Sequence, residues 1–498
     1  MNRLLKAGLA IGGVAAAVGA LRRALEPRPR YAPWEKPPYR EFAHKVLVLG
    51  GGFGGYTAAH TLCDLTRHRD DVGVMVISRE NFFTFWPMVP GIIGSDVDIG
   101  NIAQALRRPL IQAGASFRRA ELKSIDFEKR CVTAEGREFS YDHLVLALGG
   151  QPNFFGIPGV EEYSLTMRGL GDALRIRDRV IERFEEATLA HSIMESKLTF
   201  VVIGGGATGV EVASEIHTLV YEALAPDYPN IDVDRVRIFL LEAGPDVLRE
   251  LDPALRRAAR TELTARRIEV MTGVRAREVT ADRVVLDNGQ EIRSENVVWT
   301  AGNRPNAKLT DFDLPLTKRD GVVVDEYLQV PDRPGVWAIG DSAAIPYGDG
   351  QIVPPTAQAA VQEGQVVARN ILRAIDGTGE LEPFEYRPLG QLVELGSRFA
   401  VNQVMGVRFS GLLAALFWRA VYLFKLESPQ SRAQVASNWL LAVFFRPAVT
   451  QVRDLIQDEP QPVAGARGES APVEAEAVQT RIPAPPSSEN QGREAPEE

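Results

Sequence analysis

The chain has 498 residues, 45% hydrophobic and 24% charged, with 44 Gly and 32 Pro. At about 100–200 residues per domain this predicts two to four domains with a large core, and excludes a fibrous, wholly disordered or small stapled chain. Two cysteines far apart in sequence, Cys63 and Cys131, exclude a disulfide framework, a thiolate zinc site and a redox CxxC pair, so electron chemistry needs a bound cofactor. The net charge of −9 and mean hydropathy of −0.10 exclude a nucleic-acid-binding body and a polytopic membrane protein.

Residues 1–21 carry Arg3 and Lys6 ahead of an uncharged Gly/Ala-rich run over 7–21, short of the roughly twenty residues that span a bilayer. Arg22, Arg23 and a Pro-rich stretch over 26–38 follow. This predicts an uncleaved anchor or interfacial helix, with a cleaved targeting peptide or a passive terminus as alternatives. With nine Lys/Arg against three Glu over residues 1–45, the arm suits an anionic membrane surface.

KVLVL at 45–49 is an aliphatic, β-branched run that feeds GGGFGG at 50–55 and then a helical pattern over 56–65. Gly50 permits the tight turn, Gly52 lets backbone N–H groups approach a pyrophosphate, and Gly55 lets helix and strand pack closely. LTFVVI at 198–203 leads in the same way into Gly204, Gly206 and Gly209, with a helix predicted over 210–220. Two such frames predict two dinucleotide-binding folds holding two different dinucleotides.

The end of each following strand indicates what is held. The run 236–241 ends at Glu242, whose carboxylate accepts hydrogen bonds from a ribose and repels a 2′-phosphate, favouring NADH over NADPH. The run 72–77 ends instead at Ser78, with Glu80 as a substitute ribose contact. Strands at 144–149 and 297–302 end in small residues, Gly149 and Gly302, where each fold can hand the chain over beside its cofactor. GVWAIGD at 335–341 is a strand ending in Gly340 and Asp341, a carboxylate able to accept a ribityl hydroxyl, although an ordinary strand-end turn reads the same way. Gln358 and Gln362, four apart behind Pro354 and Pro355, share a helix face; two amides at that spacing are common on a solvated face, and both could also donate to a quinone carbonyl. Glu211 lies in a first helical turn, where the helix dipole stabilises a carboxylate in any case. Apolar stretches at 411–425 and 435–445 have aromatic and basic edges (Trp418, Arg419, Trp439, Arg446) and suit the headgroup plane, or else a buried core or dimer helix. Residues 457–498, with seven prolines, no aromatic residue and nine acids against three Arg, predict a disordered acidic tail.

Two nested glycine motifs and a Gly-Asp strand resemble the two-dinucleotide flavoprotein superfamily. Within it the chain resembles the type II NADH:quinone oxidoreductases, on three segments: the aromatic/proline loop NFFTFWPMVP at 81–90, GGGATGVE at 204–211, and AQAAVQ at 357–362. The likeness covers roughly residues 44–456, and Ser78 departs from it.

The resemblance implies an α/β fold of two Rossmann-like domains, one nested in the other, with a C-terminal amphipathic-helix membrane-binding region. The expected boundaries are an arm at 1–43, FAD-binding parts at 44–155 and 303–383, an NADH-binding domain at 156–302, the membrane region at 384–456 and the tail at 457–498. It implies FAD on Gly50, Gly52, Gly55, Ser78, Gly149, Gly340, Asp341 and Ala359, and NADH as substrate on Gly204, Gly206, Gly209, Glu242 and Gly302. Glu211, Gln358 and Gln362 are the implied catalytic residues, and no metal is expected. The implied partners are a membrane quinone, the bilayer surface through 411–446 and a second copy of the chain, at the cytoplasmic face of a bacterial inner membrane or at an organelle inner membrane. Sulfide:quinone oxidoreductases, which need a redox cysteine pair, soluble reductases of electron-carrier proteins, and a nucleotide-bound regulator are the competing readings.

Overall fold

The computed structural model describes residues 37–189, 195–348, 350–446 and 449–451. The N-terminal anchor expected over 1–21 and the acidic tail expected over 457–498 lie outside the described residues.

Continuous aliphatic runs form strands buried on both faces, as parallel sheets require. The first sheet begins with β1 (His44–Leu49), and helix α1 (Phe53–Leu65) carries the chain over to β2 (Val72–Ser78). β3 (Ser116–Arg119) and β4 (His143–Leu146) follow. A three-stranded antiparallel sheet over residues 122–140, which contains Cys131, is inserted between them.

The second sheet repeats this plan: β5 (Ser164–Thr166), helix α2 (Leu170–Leu189), β6 (Thr199–Ile203), helix α3 (Ala207–His217), β7 (Arg237–Glu242), β8 (Ile268–Thr272) and β9 (Asn296–Trp299). Its antiparallel insert lies at residues 276–293. β10 (Val336–Ala338) then returns to the first sheet beside β4. The two orders, β10-β4-β1-β2-β3 and β5-β9-β6-β7-β8, are the same arrangement built twice, every pair parallel.

Helix α3 is shorter than its apolar pattern predicts, passing at Thr218 into a π-helical segment, Thr218–Leu224. Ser214 Oγ bonds back to the Val210 carbonyl at 2.8 Å and Thr218 Oγ1 to that of Ser214 at 3.1 Å, a local competition that loosens a helix.

Helix α4 (Ala357–Asp376) is capped by Thr356, whose hydroxyl accepts the Ala359 N–H. It packs against α1 so tightly that a Cβ on Gly364 would stand 2.6 Å from the Gly54 carbonyl oxygen. Beyond it comes a three-stranded antiparallel sheet that the sequence reading did not anticipate: β11 (Gly390–Glu394), β12 (Ala400–Val404) and β13 (Val407–Gly411). Helix α5 (Leu412–Lys425) and helix α6 (Pro429–Leu441) close the described chain. The helix expected at 435–445 thus starts earlier and stops earlier. Ser428 caps α6 and Pro429 presets its first turn, leaving Phe444 and Phe445 beyond its end. Among the described residues no helix is long and apolar enough to cross a membrane.

Candidate active site

The two glycine turns have one geometry. Gly50 and Gly204 take φ of +107° and +119°, which L side chains rarely adopt. A Cβ on Gly55 would lie 2.0 Å from the Gly50 carbonyl oxygen, and one on Gly209 1.8 Å from that of Gly204. Gly52 and Gly206 cap α1 and α3 with extended backbone, and a Cβ there would enter open space. Each helix therefore presents N–H groups of its first turn and its positive end at an open turn, the arrangement that binds phosphates.

The strand ends differ. Glu242 accepts the Gly205 N–H at 2.7 Å and the Gly244 N–H at 2.6 Å, which holds its carboxylate at the rim of the second turn. Ser78 stands beside Gly51 at the rim of the first.

A cavity of about 440 Å³ lies where the two folds meet. Trp86, Pro87 and Pro90 line it from the aromatic loop, Glu211 from α3, Gly302 and Asn303 from the crossover after β9, Asp341 from the turn after β10, and Leu392 and Tyr422 from β11 and α5. Asn303 donates to Asp341 at 2.5 Å, while its own Oδ1 is buried without a partner. Ser342 Oγ accepts the Gly149 N–H at 3.0 Å. A buried acceptor without a donor, an aspartate at a strand end and a cradle a Cβ would fill suit a dinucleotide carrying a hydroxylated chain, and FAD fits this set.

Several contributors escape a linear reading. Glu363, next to Gln362, is buried; its carboxylate accepts the Gly340 N–H, and burial pushes it up to about 7. Arg168 brings a guanidinium to the cavity, held to the Gln151 carbonyl at 3.2 Å. Behind Glu211 lies a cluster of acids from separate elements: Glu215 on α3, Glu394 on β11, and Asp96 in the loop after the aromatic segment. Arg419 on α5 reaches Asp96 at 3.4 Å and Glu394 at 3.5 Å. Burial, and then the facing Glu394 carboxyl, holds Glu211 well above the usual carboxylate range. Burial also raises Glu394 to about 8, against the pull of Arg419.

Gln358 and Gln362 share one face of α4 as their spacing predicts, but their amides bond to the backbone of residues 387–390. Pro355 and Ala357 line the cavity. Ala359 is buried at the start of α4.

The sequence model of the pyridine nucleotide-disulphide oxidoreductase family matches residues 44–364. The chain is 30% identical over 430 residues to the type II NADH:quinone oxidoreductase Ndh of Mycobacterium tuberculosis, covering 82% of this chain and 90% of that one. The chain belongs to the type II NADH:quinone oxidoreductases. It is also 30% identical over 406 residues to the demethylphylloquinone reductase NdbB of Synechocystis, covering 80% of this chain and 95% of the relative. In fold it is similar to NDH2 from Plasmodium falciparum solved with NADH, at a TM-score of 0.74, 20% identity and coverage of 82% and 99%. The sulfide:quinone oxidoreductase of Aquifex aeolicus shares the fold at 0.64 and 22% identity, with coverage of 82% and 96%. In this enzyme the two cysteines lie in separate elements, Cys63 buried in α1 and Cys131 in the first antiparallel insert, and do not form with one another the redox pair that the competing chemistry needs.

Proposed function

We propose that the cavity between the two cradles is where NADH oxidation and quinone reduction take place, at the surface of a membrane. The observation that carries this reading is that one space of about 440 Å³ is walled by both nucleotide folds and by the C-terminal β-sheet and helices. The first cradle, Gly149 and the Gly340–Asp341 turn would hold FAD, which when bound would supply two-electron chemistry between NADH and a quinone. NADH rests on the second cradle, with Glu242 at its ribose.

The remaining steps belong to the chain's own side chains. Quinol formation from NADH takes up one proton beyond the hydride, and Glu211 stands on the cavity wall with burial and the facing Glu394 favouring its protonated form. A neutral carboxyl at that place can hand its proton to a quinone oxygen and be recharged from Glu394 behind it. Trp86, Pro87, Pro90 and Leu392 narrow the space and exclude water.

Leu412, Leu413, Leu416 and Phe424 on α5, and Leu440, Val443, Phe444 and Phe445 at the end of α6, are exposed apolar residues, with Lys425 and Arg446 beside them. Their buried counterparts on α5 are Ala414, Ala415 and Trp418. Such a face suits the lipid headgroup plane and delivers a hydrophobic quinone to the cavity. Pairing of two copies, which family resemblance implies, would set two such faces on one membrane, at the cytoplasmic side of a bacterial inner membrane.

Anaerobic stopped-flow absorbance tests this reading. NADH bleaches the flavin band, NADPH does so far more slowly and sulfide does not, and a short-chain quinone restores the band. Recovery that ignores quinone refutes the proposal. Sedimentation with anionic vesicles checks the membrane face, and Leu413→Glu with Phe424→Glu abolishes pelleting.

A further inference from the structure

Arg168 follows β5 in the second fold, and its side chain lines the cavity. Its backbone is fixed, since its N–H donates at 2.6 Å to Asp172 in the first turn of α2. Its guanidinium is held from one side. Among the described residues it donates from Nη2 to the carbonyl of Gln151 at 3.2 Å, in the two-stranded ribbon that joins the folds, and forms no ion pair. Asp172, four residues on, is taken by the Thr166 hydroxyl, the Arg168 N–H and the Arg175 guanidinium. Asp341 acts on Arg168 more strongly than Asp172 does, and burial pulls the Arg168 pKa below its ordinary value against both acids. That is the mark of a cation held in a cleft with no carboxylate bonded to it.

The polar groups around this cation complement a chain of hydroxyls. The Asp341 carboxylate and the unpartnered Asn303 Oδ1 are acceptors, and a guanidinium has donors only. A hydroxyl donates once and accepts twice, so acceptors without a donor would leave it half satisfied. Arg168, Asn303 and Asp341 all line the one cavity. The second cradle enters it through Ala207, Thr208 and Glu211, whereas the acid that Arg168 feels first stands next to Ser342, which bonds Gly149 on the flavin side.

We propose that Arg168 is a flavin-binding residue, whose guanidinium donates to the hydroxylated chain of FAD on which Asp341 and Asn303 accept, so that a side chain of the NADH fold helps to hold the flavin. This rests on the reading of the first cradle as the FAD site.

Arg168→Met keeps the length of the stem and removes the donors. FAD released on dilution is read by flavin fluorescence, and melting is followed with the flavin removed and restored. The FAD dissociation constant is expected to rise about ten- to a hundredfold, the worth of one or two charge-assisted hydrogen bonds. Arg168→Lys falls in between, because an ammonium does not reproduce the fork. Without flavin, Arg168→Met melts no lower than the unaltered protein, since it loses one hydrogen bond and an unpaired cation together. An unchanged FAD dissociation constant overturns the proposal, and a raised NADH KM beside it assigns the cation to the pyridine nucleotide. An equal fall in melting temperature with and without flavin also overturns it, leaving Arg168 as a tie to Gln151.

A second measurement uses the unaltered protein and does not depend on a variant folding. Phenylglyoxal, which modifies arginine side chains, is applied with FAD bound and with FAD removed, in the absence of NADH, and the peptide carrying Arg168 is followed by mass spectrometry. Bound FAD is expected to slow modification of Arg168 at least severalfold, and equal rates overturn the proposal. An unaltered protein that binds no FAD would instead remove the reading of the first cradle, an outcome distinct from failure of the role given to Arg168.

Discussion

The two cradles share a backbone and differ in what their side chains carry. Each has a positive-φ first glycine, an open middle glycine and a third glycine in near contact with the first. Aligned on these positions, α1 carries Thr57 and Thr61 where α3 carries Glu211 and Glu215. The matching strand ends are Ser78 and Glu242. α1 is covered by α4, with Gly364 closing on Thr57, whereas α3 meets β11 and the cavity through Glu211. On the proposed reading, backbone geometry serves phosphate binding in both cradles, while ribose choice and proton chemistry fall to side chains at matching positions.

The largest effects come from spoiling the shared part. Gly55→Ala forces a Cβ to 2.0 Å from a backbone oxygen, and Gly209→Ala forces one to 1.8 Å, overpacking that costs at least about 3 kcal/mol locally. Gly55→Ala is expected to purify without flavin absorbance. Gly209→Ala is expected to keep its flavin yet to bleach with NADH more than about a hundredfold more slowly, since each 1.4 kcal/mol is tenfold. If flavin is lost from the second variant and kept by the first, the assignment of the two cradles is inverted.

The acids come next. Glu211→Gln keeps the shape and removes the proton, and is expected to slow quinone-dependent reoxidation by roughly 10²–10³-fold, the usual worth of a general acid. Bleaching by NADH should persist in that variant. Thr57→Val, at the matching place on α1, is expected to change turnover less than about twofold, as substitutions away from a site do. Equal losses in the two would show that the difference between the helices is unrelated to chemistry.

Exchanging the strand ends sharpens the comparison at a smaller scale. Glu242→Ser gives the second cradle the first cradle's residue. It is expected to raise the NADH KM about tenfold, the value of one or two charge-assisted hydrogen bonds, and to improve use of NADPH by lifting repulsion of its phosphate. Ser78→Glu leaves the NADH/NADPH ratio unchanged. A shift of that ratio by Ser78→Glu would mean that the first cradle also meets the pyridine nucleotide.

The legible and illegible parts divide along the same line. The cradles, Glu242 and Asp341 lie within a few residues of a glycine turn and a strand end, so local spacing reveals them. The acid cluster does not show in sequence: Asp96, Glu215, Glu394 and Arg419 are up to 323 residues apart and meet only through tertiary packing. β11–β13 share the difficulty, since their pairing is antiparallel among short strands with weak alternation and no cofactor motif. The glutamine spacing was readable, and its partners, backbone groups of 387–390 and the Tyr386 hydroxyl, were not.

The smallest effect concerns the folded state and tests whether the side of α3 facing β11 is under charge stress. Glu394 is raised to about 8, chiefly by burial, with Asp96 adding to the rise and Arg419 and Arg266 opposing it. Between the ordinary glutamate range and about pH 8 the folded protein holds a proton on this group that the unfolded chain has released. Stability therefore falls as pH rises through that window and levels off above it. Glu394→Gln removes the titration and keeps the side chain's shape. Its melting temperature is expected to match the unaltered enzyme near pH 5 and to exceed it by a few degrees near pH 8.5, an increment of order 1 kcal/mol. Thr57→Val shows no such pH-dependent gain, because it alters no titrating group. A parallel pH dependence in Glu394→Gln and the unaltered enzyme would place the strain elsewhere in the cluster, on Glu215 or Asp96, whose carboxyls burial also raises.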